Sequence, residues 1–527
     1  MKVVSTELMR ELDRKTIADF QVSGEMLMDR AGFGVAHVVD SLCDRYGWDY
    51  AAILLVAGRG NNGGDAFAAA RYLKKRGYEV SVWLAGSISD VQGDARAHLT
   101  KLKTAKIPLE EFPTQEDWDQ LTGNLLGESG SMGVTVIVDG VLGTGIHGPA
   151  HGPAAGAIRY INALSSQSFV VAIDVPSGLD SDTGRAAGDT VTADLTVTMG
   201  LPKRGLVEPC AVNNVGRLEV ADIGIPPPLI EKIESDIEFI AADDVRRIIP
   251  RRSRNAHKGS FGHVLIIGGA AGYAGAVSMA AQAALRSGAG LVSVVTVRGI
   301  APVVAGAVLE AMVHAAPETE TGSLAAASWD AWRDKMSSFS AVLAGPGLTR
   351  HPDSQTLINR ILQECPVPLV LDADALNVGE GCLDDFSRRK GALVITPHPA
   401  EMGRIMGRST ADVQVDRFAA VREAAKRSRA VVVLKGAGTL VAVEGEPLQV
   451  NLTGNPGMAT GGTGDVLAGL LAGLLAQGLK PFDAARAAVF LHGKAGDDAA
   501  AEKTEAGLTA GDVIDSLPYA FQQVSPR

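Results

Sequence analysis

The 527-residue chain carries 49 Lys plus Arg against 60 Asp plus Glu, a formal charge of -11 that argues against a general binder of nucleic-acid backbones. Its 46% hydrophobic and 21% charged residues exclude long disordered tracts, and the length accommodates about two to four domains. Glycine is the outlier: 61 residues exceed the usual share of roughly 7%, so tight loops are expected throughout.

The opening residues are charged from the start and hold no apolar signal core. From Ser5 to about Cys43 the chain reads as two helices, with Ser5 able to cap the first and Leu8, Leu12 and Ile17 at helical spacing. AAILLVAG, a Gly loop, AFAAARYLKKRG and YEVSVWLAG follow in strand, loop, helix, strand rhythm. VTVIVDGVLG, FVVAIDVPSG and LTVTMGLPK each end in small or acidic residues, as parallel strands do where their carboxyl ends open into a ligand crevice. Residues 1–224 are therefore expected to form a Rossmann-like, doubly wound, three-layer α/β domain. The segment GIPPPLIEKIESD resembles a junction, its three prolines stopping regular structure. A second α/β domain, residues 236–527, contains HVLIIGG, an Ala-rich helix over 276–287, LVSVVTV, AVLAGPG, PLVLDADALN, ALVITPHPAE, AVVVLKGAGT and TLVAVEG. The apolar stretch at 466–479 is too short and too Gly-interrupted to span a bilayer, so no membrane role is expected. Cys43, Cys210, Cys365 and Cys382 show no CxxC or Cys/His grouping, which argues against structural zinc and fits reduced thiols in the cytoplasm.

Gly58 to Asp65, GRGNNGGD, lies between a predicted strand and a helix predicted to start after Asp65. Its glycines permit close backbone approach, so it can cradle phosphate through Asn61, Asn62, Gly63, Gly64 and Asp65. The alternative is a tight turn with Asp65 as a helix cap. Asp139 and Asp174 each follow an apolar strand and are expected to face one crevice. Asn62, Asp139 and Ser177 together offer hard oxygen ligands suited to an alkali cation. A second backbone cradle for a diphosphate runs through Gly143, Thr144, Gly145, Ile146, His147, Gly148 and Pro149.

In the second half, NPGMATGGTGDVLAG leads consecutive glycines into a helix, where amide donors and the helix field favour an anion. Asp465 at that entry can take a hydroxyl proton as the oxygen attacks phosphorus, although such a residue can also be a simple cap. Lys435, Gly436, Ala437, Gly438 and Thr439 follow a strand and can meet nucleotide phosphate or ribose oxygens. His398, between prolines, suits a fixed hydrogen-bonding role as well as proton transfer.

GRGNNGGD, VDGVLGTGIHGP and DVPSGLDSDTG resemble the N-terminal, YjeF-type domain of the NAD(P)H-hydrate repair enzymes. HKGSFGHVLIIGG, YAGA, RSGAGLV, GPGL, LDADALN, TPHPAEM, LKGAGT and NPGMATGGTGDVLAG are similar to that family's C-terminal, ribokinase-like domain. The resemblance implies epimerisation of the R and S hydrates of NADH and NADPH in the first domain. It implies ADP-dependent dehydration of the S hydrate in the second, with AMP and phosphate as products. Ala276, Gly347, His398 and Asp465 would surround the hydrated nucleotide, and Lys435 to Thr439 with Gly464 would hold the adenine nucleotide. Asp465 and Asp174 are the expected catalytic groups. K+ at the first site, Mg2+ and ADP at the second, small-molecule hydrates as substrates and a homo-oligomeric assembly complete the expectation.

Overall fold

The computed structural model describes residues 1–127, 133–145 and 148–525. The chain divides into two compact units, residues 2–235 and residues 236–527, with Met1 belonging to the latter.

In the N-terminal unit the side chains of Ser5 and Ser23 accept from the amides of Leu8 and Met26 and so cap α1 (Thr6–Phe20) and α2 (Gly24–Tyr46). There follow β1 (Ala52–Ala57), α3 (Asn61–Lys75), β2 (Glu79–Leu84), α4 (Gly93–Thr104), β3 (Leu109–Glu111), α5 (Gln115–Gly127), β4 (Val136–Gly140), α6 (Pro153–Leu164), β5 (Phe169–Ile173) and β6 (Leu195–Met199). The short α7 (Arg204–Val207) and α8 (Val212–Val215), then β7 (Arg217–Ala221) and α9 (Pro227–Glu231), complete the unit. The sheet order is β3-β2-β1-β4-β5-β6-β7 and every neighbouring pair is parallel. Strands β1, β4 and β5 are buried on both faces, which is why they read as unbroken apolar runs. The strand order reverses between β1 and β4, so the loops leaving these strands diverge and open a crevice at their carboxyl ends.

The C-terminal unit contains β8 (Ile237–Phe239), α10 (Ala242–Ile248), β9 (His263–Ile267), α11 (Ala274–Arg286), β10 (Leu291–Val297), α12 (Ala301–Ala307), β11 (Met312–Ala316), β12 (Ala341–Ala344), α13 (Pro352–Glu364), β13 (Leu369–Leu371) and β14 (Leu393–Ile395). It continues with α14 (Pro399–Met406), α15 (Thr410–Val415), α16 (Arg417–Ser428), β15 (Val431–Leu434), β16 (Thr439–Ala442), β17 (Leu448–Asn451), α17 (Thr463–Ala476), α18 (Pro481–Lys503) and α19 (Ala510–Val524). Its sheet runs β11-β10-β9-β12-β13-β14-β15-β16-β17-β8, parallel except where β16 turns back between β15 and β17. The order reverses between β9 and β12, again opening the carboxyl ends of the central strands. Every residue of α17 from Val466 to Ala476 is buried. It lies against α11, where a Cβ on Gly469 would overlap the Ala280 carbonyl oxygen. No described helix is long and apolar enough to cross a membrane.

Three local expectations are corrected. The helix expected to begin after Asp65 begins at Asn61, so Asp65 is neither a cap nor the first residue. Gly63 and Gly64 are poor helix formers, yet side chains there would overlap the Gly58 carbonyl and the Met28 sulfur. The close approach of α3 to the end of β1 and to α2 therefore outweighs propensity. The three prolines do not abolish regular structure: Pro226 caps α9, and Pro227 and Pro228 occupy its first turn, where the missing amide donors are not needed. The Ala-rich helix spans Ala274–Arg286, about two residues earlier at its start than its composition suggests.

Candidate active site

In the N-terminal unit a cavity of about 690 Å³ lies at the carboxyl ends of the strands. Asn61, Asn62 and Asp65 line it from α3, Gly143, Thr144 and Gly145 from the loop after β4, and Asp174 from the end of β5. Gly63 and Gly64 instead pack inward. Gly148 and Pro149 do not line the cavity, and Ile146 and His147 lie outside the described residues. Asp174 has a φ of 63°, a left-handed conformation uncommon for a residue with a side chain and often found at functional positions. Its Oδ1 accepts from Lys203 Nζ at 2.5 Å, Thr198 Oγ1 at 3.2 Å and the Met199 amide at 3.2 Å.

Asp139 does not reach the cavity. It is fully buried, its Oδ1 accepting from the Val141 amide at 3.1 Å and Ser177 Oγ at 2.6 Å, its Oδ2 from the Ser177 amide at 2.8 Å. Burial pushes its carboxyl up to about 6 against those three hydrogen bonds. Asn62 Nδ2 donates to the Leu142 carbonyl at 2.9 Å, and the Leu142 amide donates to Ser177 Oγ at 2.8 Å. Asn62, Asp139 and Ser177 thus share one network that fixes the loop after β4.

Lys203, only 1% exposed, is the group the sequence reading passed over. Its ammonium donates to Asp174, to Thr198 Oγ1 at 3.1 Å and to the Met199 carbonyl at 2.9 Å. The sequence signal was a lysine four residues beyond the end of β6, a strand that ends at the cavity. Asp13 on α1 and Asp65 face the same ammonium electrostatically. Burial raises both carboxyls, that of Asp65 well above its usual range and that of Asp13 to about 6, with Asp174 adding to each shift and Lys203 opposing it.

In the C-terminal unit Asp465 lies in the first turn of α17, which Gly462 caps with a φ of 96°. Burial, then the negative charges of Asp372, Asp374 and Glu401, push its carboxyl up to about 7, with Lys435 acting in the opposite direction. A Cβ on Gly464 would stand 3.5 Å from Lys435 Nζ, so the helix start and the strand-end lysine meet. Lys435 Nζ donates to Asp372 Oδ1 at 2.6 Å and lies 3.7 Å from Glu401 Oε2. Burial would lower its ammonium, but Asp372, Glu401 and Asp465 outweigh that and raise it.

His398 caps α14: its Nδ1 accepts from the amides of Ala400 and Glu401 at 3.1 and 3.3 Å, which assigns the ring proton to Nε2. Glu401 returns a bond to the His398 amide at 2.8 Å. The geometry shown is that of a helix cap. Ala276 and Gly347 are neighbours, a Cβ on Gly347 falling 3.4 Å from that of Ala276 and 3.0 Å from that of Tyr273. Asp374 Oδ2 holds the Thr349 amide at 2.9 Å and so braces the loop carrying Gly347.

The Lys435 to Thr439 loop is held from beneath by Arg417, which sequence reasoning missed. This guanidinium donates to the carbonyls of Leu434 at 3.3 Å, Lys435 at 3.2 Å and Ala437. Burial lowers it to about 10. Asp497 on α18 likewise braces the loop before α17, accepting from the Gly454 amide and Asn455 Nδ2, each at 3.1 Å.

The chain's residues 24–205 match the family described as YjeF-related protein N-terminus, and residues 264–519 match NAD(P)H-hydrate dehydratase. A Bacillus subtilis structure described as an ADP/ATP-dependent NAD(P)H-hydrate dehydratase co-crystallized with ATP/Mg2+ is 29% identical, covering 55% of this chain and 98% of its own, with a TM-score of 0.47. A Moorella thermoacetica protein named bifunctional NAD(P)H-hydrate repair enzyme Nnr is 39% identical over 99% of this chain and 97% of its own. A Coxiella burnetii protein of the same name is 38% identical over 96% and 97%. Two catalytic folds in this order, matched end to end by such relatives, show that the chain belongs to the family of bifunctional NAD(P)H-hydrate repair enzymes.

Proposed function

We propose that the N-terminal unit interconverts the R and S hydrates of NADH and NADPH, and that the C-terminal unit dehydrates the S hydrate with ADP as phosphoryl donor. The observation that carries the reading is Asp465, a carboxyl held near 7 beside Lys435 in the first turn of α17. A group with that affinity is a competent base in neutral water. The hydrate bears a C6 hydroxyl next to the ring nitrogen, a poor leaving group until it is esterified. Asp465 removes the hydroxyl proton as its oxygen attacks the donor's terminal phosphorus, and AMP departs. The N1 lone pair then expels phosphate, and loss of a C5 proton restores the dihydropyridine. Lys435 to Thr439 and Gly464 hold the nucleotide, while Ala276, Gly347 and His398 line the position of the hydrated ring.

A magnesium ion carried on the nucleotide's phosphates would need few direct protein ligands. Bound there, it supplies charge neutralisation. In the N-terminal site Asp174 transfers a proton as C6 inverts, and the loops at Asn61, Asn62 and 143–145 receive the diphosphate. Asn62, Asp139 and Ser177 suit potassium: their donors are oxygens, and among the described residues the buried Asp139 carboxylate is met by two amides and a hydroxyl, with no cation beside it. All four cysteines are free thiols, which supports a reducing, cytoplasmic setting.

The test mixes purified hydrate with ADP and magnesium, ATP in parallel. Recovery of dihydronicotinamide absorbance with free phosphate and AMP is expected. A stable phosphoester, as a small-molecule kinase would release, overturns the reading.

A further inference from the structure

Inverting C6 through a planar intermediate moves one proton on each face of the ring, and Asp174 accounts for one face only. We propose that Asp13 is the second acid–base group of the N-terminal site, acting on the opposite face of the hydrated ring from Asp174. The proposal rests on the epimerase reading above and deepens it.

Asp13 enters the cavity from the helical layer, on α1, whereas Asp174 enters from the sheet, at the end of β5. Their surroundings differ. Asp174 Oδ1 is engaged by an ammonium, a hydroxyl and an amide. Asp13 Oδ1 is buried and has no hydrogen-bond partner among the described residues. An unsatisfied buried carboxyl oxygen costs about 1–3 kcal/mol unless a ligand meets it, so its persistence beside a ligand-sized cavity points to a substrate hydroxyl or water. Burial brings Asp13 to about 6, so both of its protonation states are populated near neutrality. The charged groups that face it are Asp65 from α3, Asp174 from the end of β5 and Lys203 from the turn before α7. Arg10 lines the cavity from α1 itself, and Arg59, Asp90 and Asp94 line it from the loop after β1, the turn before α4 and α4.

The step balances without any oxidant or reductant. Protonated Asp13 gives its proton to the C6 hydroxyl; the C6–O bond breaks, its electron pair leaving with water, and the N1 lone pair forms C6=N1. A water attacks the other face, one of its lone pairs forming the new C6–O bond. The C6=N1 pair returns to nitrogen, and Asp174 takes the released proton. The reverse conversion runs with the two carboxyls exchanging roles, and solvent in the open cavity resets them.

The experiment follows inversion of separated R and S hydrates by the full chain, with thermal melting as the fold control. Asp13→Asn is expected to lower kcat for inversion by about 100-fold or more, with KM within about threefold. It should also remove the limb near pH 6 from the kcat/KM profile. Asp13→Glu should recover part of the rate together with the limb. Wild-type inversion by Asp13→Asn, or a slowed variant that keeps the pH 6 limb, overturns the role of Asp13 and leaves the epimerase reading standing. Failure of the unaltered chain to invert either hydrate removes that reading itself, a distinct result.

Discussion

Replacing Asp465 with Asn should slow the dehydratase and at the same time stabilise the fold at alkaline pH. The carboxyl is raised from 3.8 to about 7, a shift of about 3 units, which at roughly 1.4 kcal/mol per unit makes ionising it cost about 4 kcal/mol at most. The folded state binds the Asp465 proton more tightly than the unfolded chain, so stability from this group is full below pH 3.8 and is lost as pH rises through about 7. Asparagine removes that loss. Melting of wild type and Asp465→Asn at pH 5 and pH 8 should therefore show the variant ahead by several degrees at pH 8 and by less than about half as much at pH 5. The same substitution removes the general base, and dehydration should fall about 10²–10⁴-fold. In the wild type the rate should decline as pH drops below about 7, where the base becomes protonated. Identical melting of the two proteins at pH 8, or a wild-type rate that is flat from pH 5 to pH 8, would falsify the assignment of a strained, basic carboxylate.

Lys203→Met strands the carboxylates around a buried ammonium, so the N-terminal unit should lose about 3–5 kcal/mol at pH 8 and less at pH 5, where Asp13 is protonated. Urea melts at the two pH values check this, and equal losses would rule out charge as the cause. Arg417→Lys cannot span the three carbonyls that the guanidinium reaches, so ADP should bind about tenfold more weakly, by titration calorimetry, with unchanged affinity refuting the bracing role. Gly469→Ala drives a methyl into the Ala280 carbonyl and should cost the C-terminal unit about 1–3 kcal/mol in thermal melts; no shift would show that the two helices are free to separate.

The parallel strands were legible because burial on both faces leaves an apolar run that ends abruptly, as in AAILLVAG and HVLIIGG. Asp465 was legible for a similar reason: a glycine series that leads straight into an apolar helix marks the helix start within a residue or two. What escaped reading depends on tertiary contact. Lys203 carries no local pattern, and only the sheet brings it to Asp174, 29 positions away. Arg417 reads as the polar start of an amphipathic helix, and its carbonyl partners lie up to 20 residues further on. Asp13 was passed over in a segment read for its apolar spacing. The strands Ile237–Phe239 and Leu448–Asn451 are too short to show a period and are fixed by sheet pairing, with each other and, for Leu448–Asn451, with β16.

Because α17 is enclosed along its whole length after its first turn, it behaves as a fixed post. Turning it to re-aim Asp465 would require carrying α11 with it, since backbone meets backbone at Gly469 and Ala280. Any accommodation of one substrate over another must therefore come from the loops around it rather than from the helix, with the carboxylate as the stationary reference against which the reacting oxygen is brought into line.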